Sequence, residues 1–125
     1  MSKILRKNKN FKERDREFFM WNNACWVCGK NTWDVLHHIL GGEFEEADSI
    51  LNAAPLCNYP CHIGGGHAFT EEDRKQFLNK TFFYLMVKGG YKLNEKDKSF
   101  LKKFRDYYDS DIFFNNNNFI DFDGL

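Results

Sequence analysis

The chain lacks net charge: eighteen Lys plus Arg balance eighteen Asp plus Glu with histidine neutral, so bulk electrostatics alone selects no polyanionic partner. It lacks any apolar run approaching the roughly 20 residues that cross a bilayer, so no membrane association is expected. Met1 to Arg6 lacks the apolar stretch of a secretion signal, and a soluble, cytoplasmic protein is expected. No internal repeat is visible. The 125 residues, 42% hydrophobic and 29% charged, suit one compact domain better than two domains or a disordered polymer.

What is present is unevenly distributed. Residues 1–16 carry seven basic and two acidic side chains, residues 17–105 eleven of each, and residues 106–125 five aspartates and no base, a gradient of +5, 0 and −5. Phe11, Arg14, Phe18 and Trp21 fall near one helical face, which predicts an amphipathic helix over Asn10 to Trp21 behind a basic arm. Thr70 with Glu71, Glu72 and Asp73 reads as an N-cap opening a helix that Gly89 and Gly90 end. A second helix is predicted from Asn94, with Phe100, Leu101, Phe104 and Tyr108 as its stripe. Lys96, Lys98, Lys102, Lys103 and Arg105 offer a basic face there, and core packing accounts for Phe77, Phe82, Phe83, Phe100 and Phe104. Beyond Ser110 the segments Ile112 to Phe114 and Phe119 to Phe122 flank four asparagines, which fits a hairpin or a flexible acidic tail.

All four cysteines and all four histidines lie between Cys25 and His67. Cys25-Trp-Val-Cys28 and Cys57-Asn-Tyr-Pro-Cys61 are short-spaced pairs, each able to form a knuckle, and four thiolates can enclose one tetrahedral zinc. Gly29 suits the tight turn after the first knuckle. A redox Cys-x-x-Cys leaves the second pair unexplained, and disulfides are disfavoured in a reducing compartment. Twenty-eight residues separate Cys28 from Cys57, so a zinc holding both pairs closes that segment into a loop with fixed ends.

Inside the loop, Val35-Leu36-His37-His38-Ile39 reads as a strand, in which adjacent imidazoles point to opposite faces and serve different roles. Gly41, Gly42 and an acidic stretch, Glu43 to Asp48, read as a solvated loop before Ile50 to Leu56 runs into the second knuckle. With His37-His38, then Asn52 five residues before Cys57 in Asn52-Ala-Ala-Pro-Leu56-Cys57, then His62, this third of the chain resembles the HNH endonuclease superfamily in its zinc-ribbon form. The resemblance implies an α+β fold: a small ββα-metal hairpin-helix core with a four-cysteine zinc knuckle pair, packed by N- and C-terminal helices. It implies that His37 and His62 bind a divalent catalytic cation, Mg²⁺, Mn²⁺ or another transition metal; His67, beyond three glycines, is open to being a third ligand, a phosphate contact or a loop histidine. It implies that His38 is the general base, a role that suits an imidazole with an ordinary pKa of roughly 6.5. Asn52 would fasten the hairpin loop and keep His38 aimed, while Cys25, Cys28, Cys57 and Cys61 hold structural zinc. The glycines Gly64, Gly65 and Gly66 after His62 imply that the family's metal-bearing helix is short or displaced.

The expectation is thus a single domain: a basic arm and helix (1–24), a zinc and HNH core (25–67), supporting helices (68–109) and an acidic tail or hairpin (110–125). Its expected activity is cleavage of DNA phosphodiesters in phage or bacterial recombination or repair, with the bacterial or phage-infected cytoplasm as its site. Lys7, Lys9, Lys12, Arg14 and Arg16 are the candidate phosphate contacts. The acidic, aromatic end, Phe119 to Leu125, is similar to tips that single-strand-binding proteins use to dock partners, so a single-strand-binding or other replication or recombination protein is a candidate partner. The rival reading is a non-catalytic zinc-ribbon module that binds nucleic acid or protein. A ribbon alone has no use for His37-His38 with Asn52.

Overall fold

The β-branched and apolar run at Val35 forms the first strand, β1 (Val35–His38), and Ala53–Leu56 forms the second, β2. They pair antiparallel with Val35 opposite Leu56, His37 opposite Ala54 and His38 opposite Ala53. This is a computed structural model, and it describes residues 10–20, 24–57, 61, 69–88 and 90–109. The architecture is a small α+β arrangement: a two-stranded hairpin, helices packed on it, and a cluster of four cysteines at one end. His62, His67, Lys7, Lys9, Trp21 and the 110–125 tail lie outside the described residues.

The link between the strands is long, and it closes on itself before β2 begins. The Ile39 N–H donates to the Asn52 carbonyl at 2.8 Å, and a 3-10 turn, Ile50–Asn52, is capped by Ser49, whose Oγ accepts from the Leu51 N–H at 3.2 Å. Ile39, Ile50 and Leu51 thereby enter a core with Phe19, Leu78, Phe82, Leu85, Phe100 and Leu101. Full burial of each such side chain is worth about 1.5–3 kcal/mol.

Helix α1 (Glu71–Phe83) starts at Thr70 as expected, through a reciprocal cap in which Thr70 and Asp73 each take the other's N–H at 3.0 Å. The Thr81 hydroxyl on this helix donates to the Ala53 carbonyl at 2.8 Å and so ties α1 to β2. A wider helical turn over Tyr84–Lys88 ends α1, and Gly90 follows with φ +61°. Helix α2 (Glu95–Lys103) is capped by Asn94, with Asp97 as the reciprocal partner. Asn79 of α1 bonds the Tyr107 carbonyl and the Asp109 N–H, at 2.8 and 2.9 Å, which holds the chain after α2 against α1.

Three expectations are corrected. The segment after the basic arm is a 3-10 helix, Glu13–Phe19, rather than an α-helix over Asn10 to Trp21; it buries Asp15 and Phe19, and Phe11 packs separately ahead of it. The Lys12 N–H donates to the Asp15 carboxylate at 3.1 Å, and this cap with the three-residue period turns a different face inward from the one a 3.6-residue period selects. Phe83 is 38% exposed and contributes less to the core than the other phenylalanines named above. Finally, neither the acidic loop nor the α2 basic face is simply solvated. Lys96 bonds both Asp48 oxygens at 2.9 and 3.1 Å, and Lys103 reaches Glu46 at 3.4 Å. No described helix is long and apolar enough to cross a membrane.

Candidate functional site

The first knuckle is a miniature hairpin. The Cys25 N–H bonds the Asn31 carbonyl at 2.8 Å, an isolated bridge joins Ala24 to Thr32, and Gly29 takes φ +67°, a backbone position that a side chain rarely adopts. It docks on β2 through its backbone, with the Trp26 N–H bonded to the Pro55 carbonyl at 3.0 Å, while the Asp34 N–H, just ahead of β1, reaches the Leu56 carbonyl at 2.9 Å. Pro55 can sit in β2 because, among the described residues, this is an edge strand of a two-stranded sheet, where the contact at Pro55 uses its carbonyl and requires no N–H.

Cys25, Cys28, Cys57 and Cys61 converge, with their sulfurs all within 4.8 Å of one another and Cys28 and Cys57 4.0 Å apart. A tetrahedral ion with sulfur bonds of about 2.3 Å requires sulfurs spaced by about 3.8 Å, so the cluster fits a metal ion such as zinc after a small contraction. The surroundings favour thiolate at Cys25 and Cys28. The Val27 N–H approaches the Cys25 sulfur at 3.3 Å and the Asn31 amide approaches that of Cys57 at 3.5 Å. Backbone N–H groups of Asn31 and Lys30 pull the Cys28 thiol down to about 6. Burial, with the neighbouring Cys57, Cys25 and Cys28, pushes Cys61 up to about 12. Four crowded sulfurs cannot all ionise without a cation among them, and a metal supplies that charge.

The hairpin carries the rest of the site. Asn52 is fully buried, and its amide satisfies three backbone groups of the loop: Oδ1 accepts from the Leu40 N–H at 2.9 Å, and Nδ2 donates to the Gly41 and Ala47 carbonyls, each at 3.0 Å. Its own carbonyl holds Ile39, the residue after His38. The two imidazoles face opposite sides of β1. His37 meets the edge of Phe69 with ring centroids 4.8 Å apart, while His38 stacks on Phe11 at 4.2 Å and 17°. The His38 side opens to a groove of about 230 Å³ whose lining includes Phe11, Lys12, Arg16 and Leu36.

No protein-family model, curated protein or solved structure matches the chain.

Among the candidate phosphate contacts, Arg16 is committed within the protein. Its guanidinium donates to the Asp34 carbonyl at 2.9 Å and lies 4.7 Å from the centre of the Trp33 ring. Arg14 lies 4.0 Å from an Asp15 carboxylate oxygen and is largely exposed. Sequence reasoning missed Phe11 and Phe69, the ring partners of the two histidines, and Asn31 beside Cys57. Phe11 was legible as an apolar residue at the head of a periodic segment, but which strand it covers depends on tertiary contacts. Nothing in the spacing signals Phe69 or Asn31.

Proposed function

We propose that this protein is a metal-dependent HNH endonuclease that hydrolyses DNA phosphodiester bonds, with His38 as general base. The reading is carried by Asn52: a buried amide that fastens the hairpin loop immediately beyond His37 and His38, within a segment whose ends a four-cysteine cluster holds. That is the work the HNH asparagine is expected to do, and a bare ribbon has no need of it.

In this reading Cys25, Cys28, Cys57 and Cys61 hold structural zinc, and His37, His62 and His67 are the candidate ligands of a second, divalent cation. That cation, when bound, neutralises charge developing on the cleaved phosphate. His38 accepts the proton of the attacking water from its place on β1, and Asn52 keeps the strand end from which it projects fixed. Lys12 and Arg14, with Lys7 and Lys9, draw the phosphate backbone toward the hairpin, so cleavage falls as salt rises. The acids of the 43–48 loop would repel that backbone, but Asp48 and Glu46 are paired with Lys96 and Lys103, which lowers the local negative field. A role in phage or bacterial recombination or repair, and a protein partner docked through the acidic C-terminal end, complete the proposal.

The test is to incubate the purified protein with supercoiled and branched DNA and Mg²⁺, Mn²⁺ or Ni²⁺, comparing wild type with His38→Ala. Loss of a general base is expected to cost about 10²–10⁴-fold in rate while the circular dichroism spectrum is unchanged. Equal cutting by both proteins refutes the role of His38. Absence of cutting with every cation, by a folded zinc-loaded chain, leaves the non-catalytic zinc-ribbon module as the function.

A further inference from the structure

We infer that Phe11 is a positioning residue for His38, and that the segment ahead of the 3-10 helix is thereby one wall of the active site. The inference rests on the nuclease reading above and extends it to a part of the chain that the HNH resemblance does not cover.

A strand fixes where the Cβ of His38 lies, but not how its ring is turned. The second side-chain torsion of histidine is sp³–sp² and broad, so an imidazole with nothing against its face swings freely. A general base works only when one particular nitrogen meets the water proton in the correct plane. The Phe11 ring lies 4.2 Å from the His38 ring at 17° to it, a near-parallel stack that restricts this torsion. Both nitrogens lie in the edge of the imidazole, so a ring stacked on its face does not itself cover them.

Phe11 can do this only if its backbone is held to the strand that carries His38. Arg16 holds it: the guanidinium donates to the carbonyl of Asp34, the residue directly before β1, and lies over Trp33. The Lys12 N–H bonded to the Asp15 carboxylate then sets the turn between Phe11 and the helix. Strand, anchor and ring form a short closed circuit around the 230 Å³ groove. Its ring partner is also fit for the purpose, since phenylalanine offers a flat face and no competing polar atom.

The experiment uses the full zinc-loaded chain and the DNA and cation that support cleavage by wild type. Phe11→Leu keeps apolar bulk but removes the stack; Phe11→Tyr keeps it. Phe11→Leu is expected to lower kcat by about tenfold or more with KM unchanged, and Phe11→Tyr to restore it. In parallel, proton NMR of the folded wild type, with the His38 ring signals assigned by their loss in His38→Gln, is expected to show them shifted upfield by the Phe11 ring current. The shift should vanish in Phe11→Leu and persist in Phe11→Tyr. A wild type with no upfield shift overturns the inference even if Phe11→Leu fails to fold. Cleavage by folded Phe11→Leu at the wild-type kcat overturns it while the nuclease reading stands. A folded wild type that fails to cut whichever cation is supplied removes the nuclease reading, and the catalytic role of Phe11 with it.

Discussion

At Asn52 the side chain's two donors and its acceptor are all engaged with backbone atoms that no strand or helix would satisfy. Replacing it strips partners from the buried Ala47 carbonyl, the half-buried Leu40 N–H and the Gly41 carbonyl at the exposed turn, and a buried group left unsatisfied costs about 1–3 kcal/mol. Asn52→Leu, which keeps most of the volume, is therefore expected to lower unfolding free energy by about 2–4 kcal/mol. Asn52→Asp should be worse, because a carboxylate would face the two carbonyls that the amide now donates to. Urea denaturation at neutral pH measures both, and a Leu variant as stable as wild type would show that the loop is held by something else. This residue was legible in the sequence by its place five residues before Cys57, because the HNH resemblance names an asparagine there. Asp15 and Asp97, equally buried, were not. An acid in the first turn of a helix reads as an exposed charge complementing the dipole, and nothing local reveals that it also turns inward.

Among the elements, α1 and α2 were readable because their signals are local: Thr70 with Asp73 and Asn94 with Asp97 are caps confined to four residues. The clamp between α2 and the 43–49 loop was not, because Lys96 and Asp48 are 48 residues apart and Lys103 and Glu46 are 57 apart. Asp97 is the centre of that clamp. Its carboxylate accepts from Ser49 Oγ at 2.7 Å, from the Tyr91 hydroxyl and from the Asn94 N–H at 3.0 Å. Burial, followed by the bond to Asp97, raises the Tyr91 phenol well above its ordinary value. A phenol whose folded pKa is raised contributes stability in full below the unfolded value of about 10, and that contribution is lost as pH climbs from there toward the folded pKa. Tyr91→Phe is accordingly expected to be less stable at pH 7 by about 1.5–3 kcal/mol, the scale of a hydrogen bond to a charged group. Its stability should also fall less steeply than that of wild type above about pH 10. Parallel alkaline profiles for the two proteins, read by urea midpoints, would contradict this account of the clamp.

Over the whole molecule, one cluster of sulfurs joins the turn ahead of β1 to the chain that follows β2. Cys25 and Cys28 come from a turn ahead of β1, Cys57 follows β2, and the apolar side chains packed on them, among the described residues, are a small group including Leu56, Val35, Val27 and Phe69. That satellite is small, and the knuckle segment meets the main core through Trp26 and Trp33. A structural zinc contributes apparent binding free energy on the order of 10 kcal/mol, comparable to the stability of a small domain, and the hairpin is tethered to the knuckle through the Trp26 N–H bond to the Pro55 carbonyl. The purified chain is expected to hold one equivalent of zinc, read by metal analysis. Chelation should release it, loosen the knuckle and shift the emission of Trp26, whose ring packs near Phe19 and Tyr84 and beneath the Lys80 ammonium. Cys25→Ser should reproduce both effects. Magnesium added afterwards should restore neither, since a hard, oxygen-seeking ion does not replace zinc among thiolates. If chelation instead left the emission and the unfolding midpoint untouched, the knuckles would be held without metal. The fixed ends that keep His37, His38 and Asn52 in register would then need another cause.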